Sequence, residues 1–219
     1  MQNDLIADTT AHLRRHHRAK GAVDDTRERI VAAAIAQIHR HGHVKTTMAD
    51  IAQHCAMSPA NVYRFFPTKA ALVEAVSEVW LGVTEEHARN VALRPKSAAE
   101  RVRDYIVEVH EFVRDRHTFE DEVHETCVAA SVERWPCMVR HEQALTDIFA
   151  SILADGVRSS EFDIDDVPKT AAVMRSAMMK FHSPILVAQF HRENLVEQAI
   201  ELSDFLVNAI RARANFCAV

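Results

Sequence analysis

Glycine is scarce in this chain. Only 4 occur in 219 residues, where an average usage of about 7% gives roughly 15. With few residues free to take positive φ, tight hairpin turns and bent strands are poorly supplied, so composition favours helices. Cysteine is sparse too. Cys55, Cys127, Cys137 and Cys217 make no CxxC pair and no disulfide-framework spacing. That excludes zinc ribbons and secreted disulfide scaffolds, and it suits thiols kept reduced in a cytosol. No run approaches the ~18 apolar residues of a membrane span, and the N-terminus shows no apolar core of a secretory signal. A cytoplasmic protein is expected. No nucleophile motif or phosphate loop is present, which leaves an all-helical enzyme as a weak competing class.

The net charge of -5 argues mildly against a nucleic-acid partner, but its distribution reverses the argument. Residues 1–70 carry a net +4 and the remainder a net -9. A basic head on an acidic body suggests two jobs. Acidic residues are absent altogether from Ile51 to Val73, a 23-residue window. The chain average predicts about 3 there. A surface docked on phosphates has to exclude carboxylates.

Residues 1–23 read as a basic arm, with His12–Lys20 either solvated or touching DNA phosphates. From Asp24 to His41, apolar residues at Ile30, Ala33, Ala34 and Ile38 follow a helical period, and Gly42 stands where a C-terminal cap belongs. Thr47 opens a second helix with Asp50 as its capping-box partner. Ser58 caps a third and Pro59 takes its first position. Pro67-Thr68 ends that helix and caps a fourth. Longer helices are predicted over Thr68–Leu93, Ser97–Arg116, Thr118–Trp135, Pro136–Ser159, Asp166–His182 and Arg192–Arg213. The expected fold is all-α with about nine helices. The expected division is an arm (1–23), a helix-turn-helix domain (24–70) and a helical effector-binding and dimerisation domain (71–219).

Two short helices joined by a tight turn form a helix-turn-helix, whose second helix enters the major groove. Ile51, Ala52, Cys55, Met57 and Val62 are spaced to form the small core between them. With Val62 inside, Ala60, Tyr63 and Arg64 point outward and Asn61 lies at the flank. Asn61 and Arg64 are able to read base edges, while Thr47 and Tyr63 can donate hydroxyl hydrogen bonds to phosphate. Lys69 falls in the first turn of a helix, where the macrodipole disfavours a cation; a bound phosphate accounts for it. The plainer readings are Tyr63 as an aromatic that holds the head together and Lys69 as a solvated lysine.

Residues 26–73, from TRERIVAAAIAQIHRHG through TTMADIA to SPANVYRFFPTKAALV, resemble the DNA-binding domain of the tetracycline-repressor (TetR) family. The order that carries the resemblance is glycine after helix one, TT-x-x-x-IA, then Ser-x-x-x-hydrophobic-Tyr-x-x-Phe-x-x-Lys. It implies backbone contacts to DNA from Thr47, Ser58, Tyr63 and Lys69, within an interface that also includes Pro59, Ala60, Asn61 and Arg64. It further implies a homodimer on a palindromic operator, released by a small-molecule effector, with repression as the family default. Two residues depart from the pattern. Ala56 replaces the usual turn glycine, where a left-handed conformation costs about 1 kcal/mol, and Phe65 replaces a frequent histidine.

The body carries no motif. Its last helix is apolar on more than one face, with Leu195, Ala199, Leu202, Leu206 and Ile210 on one and Ile200, Phe205 and Val207 on others. Together with Asp166–Ile185 this suits a dimer interface through residues 166–213; an internal helix pair is the other reading. Pocket candidates are Tyr105, Val109, Phe112, Val123, Cys127, Trp135, Met178 and Phe181, each equally able to be plain core. No cofactor is required by anything in the sequence. A metal-sensing alternative rests on His110, His124 and His182, against the reading of these as ordinary histidines.

Overall fold

The computed structural model describes residues 22–119, 121–190 and 192–211, with side-chain detail from residue 25 and none over 116–124. Residues 1–21 of the expected arm, and Cys217, lie outside the described residues. Eleven helices are present among them: α1 (Ala22–Lys45), α2 (Met48–His54), α3 (Pro59–Phe65), α4 (Lys69–Ala92), α5 (Ala98–Phe119), α6 (Asp121–Val132), α7 (Pro136–Arg158), α8 (Val167–Ala177), α9 (Met179–His182), α10 (Pro184–Gln189) and α11 (Leu195–Ile210). One isolated antiparallel bridge, Phe162 to Arg211, is the only β-structure among the described residues. None of their helices is long and apolar enough to cross a membrane. The all-α expectation holds.

The chain forms two compact units. One runs to Val83 and includes Arg116–His141; the other comprises Thr84–Asp115 and the chain from Glu142 onward. The boundary expected at 70/71 therefore falls inside α4 and is not where the units part. The reason is packing: Leu72, Val73, Ala75, Val76 and Trp80 of α4 share a core with Ile30, Ala34 and Ile38 of α1 and with the α2–α3 pair.

In the first unit, α1 buries the stripe predicted for it, with Ile30, Ala34 and Ile38 fully inaccessible. It is interrupted at Gly42, whose φ of 75° and ψ of 157° belong to a region open essentially to glycine alone. The Thr46 hydroxyl donates to the Gly42 carbonyl at 2.8 Å and holds the bend. α1 also packs on α6, where His43 Nδ1 and the Thr126 hydroxyl lie 3.2 Å apart.

The second unit is built on Tyr105, Ile106, Phe149, Ile152 and Leu153, all fully buried. Ser97 and Glu100 form a capping box at the start of α5. The Glu161 carboxylate adds a second cap from far along the chain, accepting from Ala98 N at 3.0 Å and Ala99 N at 3.2 Å. The single helix predicted over Asp166–His182 is instead α8 and α9, broken at Met178 (φ -83°, ψ -2°). Pro184 does more than end a helix. It drives Ser183 into extended backbone (φ -79°, ψ 124°) and then occupies the first position of α10, a helix the sequence pattern did not reveal.

Candidate nucleic-acid interface

The local chemistry of the helix-turn-helix follows its sequence closely. Thr47 caps α2, accepting from Asp50 N at 3.2 Å, while the Asp50 carboxylate accepts from Thr47 N at 3.0 Å and from the Thr47 hydroxyl at 2.6 Å. Those bonds, the hydroxyl first, hold the Asp50 carboxyl below the usual carboxylate range. Ser58 caps α3 by accepting from Asn61 N at 3.2 Å, with Pro59 at the helix start. Thr68 accepts from Ala71 N at 3.0 Å and opens α4.

Between the helices the chain turns through Ala56, which has φ 53°. The turn keeps the left-handed geometry that a glycine would take without strain, and Met57 N closes it onto the Ala52 carbonyl at 2.9 Å. Ile51, Ala52, Cys55 and Val62 are buried beneath it, and Met57 is half-buried. Phe66, at the end of α3, is buried with the Arg27 guanidinium 4.8 Å above its ring.

This packing decides what faces outward. Ser58, Pro59, Ala60, Tyr63 and Arg64 are exposed and Asn61 is half-buried at the flank. Tyr63 is 48% exposed, so about half of it is covered by the head and the rest faces outward. Lys69 is half-buried, and its ammonium donates to the Val44 carbonyl at 2.9 Å. That internal acceptor was invisible in the sequence, which offered an external anion or plain solvation. Three N–H donors leave it able to serve both. Beside α2, an open groove of about 510 Å³ is lined by Gln37, His41, Lys45, Asp50, Gln53 and His54.

The sequence profile of the bacterial regulatory proteins of the tetR family matches residues 30–76, and that of the tetracyclin repressor-like C-terminal domain matches residues 98–203. The chain belongs to the TetR family. Solved structures agree on the fold. The FadR repressor of Thermus thermophilus superposes with a TM-score of 0.63 at 19% identity, over 88% of this chain and 99% of that one. The flavonoid-responsive regulator FrrA gives 0.60 at 22% over 87% and 99%. RolR gives 0.60 at 16% over 87% and 90%. No curated protein matches the sequence.

In this TetR-family transcription regulator α3 is the second helix of the helix-turn-helix. The body distributes the expected pocket residues unevenly. Tyr105, Val109, Met178 and Phe181 lie buried in the second unit's core, and Phe112 stacks on His87 with centroids 4.6 Å apart. Cys127 and Trp135 belong to the first unit, packed beside Leu81, Ala130, Cys137 and Met138. The candidates are therefore not gathered in one unit. Val123 and His124 lie outside the residues whose side chains are described.

His110 and His182 are engaged with protein groups. His182 Nε2 donates to the Ile106 carbonyl at 3.0 Å, and its Nδ1 meets Arg175 Nη1 at 2.5 Å. His110 Nδ1 donates to the Phe181 carbonyl at 2.9 Å. Burial lowers the affinity of both rings for a proton, most strongly at His182, where the Arg175 charge adds to it. A cation at either nitrogen of His182 would displace the hydrogen bond made there and lie near the Arg175 guanidinium. Among the described residues no group of three or more His, Cys, Asp or Glu side chains is arranged to hold a metal ion. Arg175, 8% exposed, went unnoticed in the sequence because nothing local distinguishes a buried arginine from a solvated one.

Proposed function

We propose that this protein is a ligand-responsive repressor that binds a near-palindromic operator as a homodimer and is released by a small organic effector. The observation that carries the DNA half is the acid-free, outward-facing surface of Ser58, Pro59, Ala60, Tyr63 and Arg64 on a capped α3. Phosphate contacts from Thr47, Ser58, Tyr63 and Lys69 position the head, and Asn61 and Arg64 read bases.

The dimer reading is supported by large apolar side chains left in solvent: Val173 on α8 at 64% exposure, and Ile200 and Phe205 on α11 at 47% and 69%. Exposed apolar side chains of this size are suited to burial against a second copy. Two heads then meet half-sites separated by about one helical turn, ~34–36 Å. The effector reading is supported by relatives: FadR is described with lauroyl-CoA, RolR with resorcinol, and FrrA as flavonoid-responsive. The occupied nitrogens of His182 favour an organic effector over a metal. The protein is read as cytoplasmic and without catalytic activity.

The test is operator selection from a random pool, followed by light scattering and DNA titration with and without candidate effectors. The reading expects a two-fold-related site, a dimer, and DNA affinity lowered by an effector. A monomer that binds DNA tightly, or a selected site without two-fold symmetry, overturns the dimer; turnover of a candidate molecule overturns the regulator reading.

A further inference from the structure

Among the described residues, four buried nitrogens of the second unit have no hydrogen-bond partner: His87 Nε2, Arg101 Nε, His110 Nε2 and Arg175 Nε. His110 is 1% and Arg175 8% exposed. Both flank α9, the four-residue helix bounded by Met178 and Ser183, at which no side-chain cap operates. His110 bonds the carbonyl of Phe181 and packs edge-on to its ring, centroids 5.8 Å apart. Arg175 bonds His182, the next residue, whose ring stands edge-on to Tyr105.

The hydrogen bonds fix what each orphan atom wants. Phe181 offers a carbonyl, so His110 Nδ1 carries the proton and Nε2 of the neutral ring is a bare acceptor. His182 Nε2 faces the Ile106 carbonyl and carries its ring's proton; Nδ1 accepts from Arg175. Arg175 Nε–H is thus a donor without an acceptor. Its charge is also unbalanced: no carboxylate lies within 4.0 Å of the guanidinium among the described residues, although Arg101 of the same unit has one and Arg94 two. Burying an unpaired cation is costly, as is burying an unpaired acceptor. Ile106, Val109, Phe149 and Met178 of the same core are apolar and supply neither.

We infer that this cluster is the effector site and that it takes a small hydroxylated organic acid, the anionic oxygen accepting from Arg175 Nε and the hydroxyl donating to His110 Nε2. The assignment rests on the ligand-responsive reading above and adds the chemistry of the ligand. A neutral apolar effector leaves both orphans unmet, and a metal cation is repelled by Arg175. A carboxylate alone satisfies the arginine but meets a lone pair at His110.

The probes are the three hydroxybenzoate isomers, benzoate and phenol, titrated calorimetrically into the full-length dimer. One hydroxybenzoate isomer should bind about tenfold more tightly than both benzoate and phenol, the margin of one charge-assisted or buried hydrogen bond. Arg175→Gln should bring that isomer down to the level of phenol, Arg175→Lys should retain part of the gain, and His110→Phe should bring it down to benzoate. Where a variant melts early, the wild-type protein still decides: the ¹⁵N resonance of His110 Nε2 should shift on saturation with the hydroxybenzoate and not with benzoate. Equal binding of all five probes, no binding of any at millimolar concentration, or an unmoved Nε2 resonance overturns the proposal and leaves ordered water as the partner of both atoms. If no acid binds while another compound lowers DNA affinity, the assignment falls and the ligand-responsive reading stands. If a hydroxybenzoate binds as described without changing DNA affinity, the binding chemistry stands but the effector assignment falls.

Discussion

The ammonium of Lys69, at the start of α4, donates to the carbonyl of Val44, 25 residues earlier and just past the bend at Gly42. A lysine at a helix N-terminus opposes the macrodipole. Here a carbonyl offsets part of that cost, and the side chain ties the recognition region to the end of α1. Lys69 thus holds a turn, and the proposed DNA reading asks the same ammonium to meet a phosphate.

Lys69→Met separates the two roles. Loss of one phosphate contact should weaken binding to operator and non-operator DNA alike and reduce the slope of log K against log salt by about 0.9. Fluorescence anisotropy over a salt series measures the slope. If affinity falls but the slope is unchanged, the lysine acts only through Val44.

Arg64 is exposed on α3 and Asn61 is half-buried at its flank. Neither has an acidic neighbour in the stretch from Ile51 to Val73. Arg64→Ala or Asn61→Ala should change sequence preference by about 1–3 kcal/mol at the base pair read, leaving binding to random DNA nearly as strong. Repeating operator selection on each variant checks this. Identical selected sites for wild type and both variants would remove these residues from base reading.

Ala56 holds φ 53° in the turn between α2 and α3. Left-handed backbone costs an L-residue about 1–2 kcal/mol, while glycine costs roughly 0.4–1 kcal/mol through the entropy of the unfolded chain. Ala56→Gly should therefore leave stability unchanged or raise it by up to about 1.6 kcal/mol, without moving α3. Thermal melting reads the effect; a lower melting temperature would mean that the methyl packs usefully despite the strain.

The head was legible because its determinants are local. Thr47, Ser58 and Pro59 announce helix starts by their own chemistry, and one left-handed position separates two short helices whichever residue fills it. The body resisted for tertiary reasons. Pro184 reads as a stop, yet the extended Ser183 lets it start α10. Cys127 and Trp135 pack in the first unit because α6 lies on α1, a pairing between segments some eighty residues apart that no spacing encodes. The partner of Lys69 is a backbone carbonyl, which has no sequence signature. Arg175 sits in a stretch whose neighbours do not mark it as buried.

The two buried histidines make stability depend on pH. Burial depresses the proton affinity of His110 and, more strongly, His182, the latter also facing Arg175. Around His110 the charged neighbours Arg114, Glu111 and Asp115 act in both directions. Below the ordinary histidine value of 6.5 the unfolded chain takes up protons that the folded one refuses. Stability is therefore full above pH 6.5 and declines as pH falls, by up to about 1.4 kcal/mol per pH unit for each histidine. Denaturant melts at pH 7.5, 6 and 5 should show the loss, and His182→Gln should reduce it, leaving the part due to His110. A midpoint independent of pH over that range would mean that the rings reach solvent.

Gly156 lies inside α7, where glycine is unfavourable by about 1 kcal/mol relative to alanine. The Phe162 ring explains it. A Cβ at position 156 would stand 2.1 Å from Phe162 Cδ2, and Phe162 is itself buried at 4% exposure. The turn that delivers this ring is closed by Glu161 N and Phe162 N, both donating to the Gly156 carbonyl at 2.8 and 3.1 Å. The same turn presents the Glu161 carboxylate to the start of α5. Gly156→Ala should therefore lose more than the ~1–3 kcal/mol typical of overpacking if the displaced ring also withdraws the cap. A double-mutant cycle with Phe162→Leu isolates the clash, because the smaller side chain makes room for the methyl. The two substitutions should be less harmful together than their separate effects imply, with a coupling above about 0.5 kcal/mol. Additive losses in urea denaturation would show that the ring does not determine the glycine.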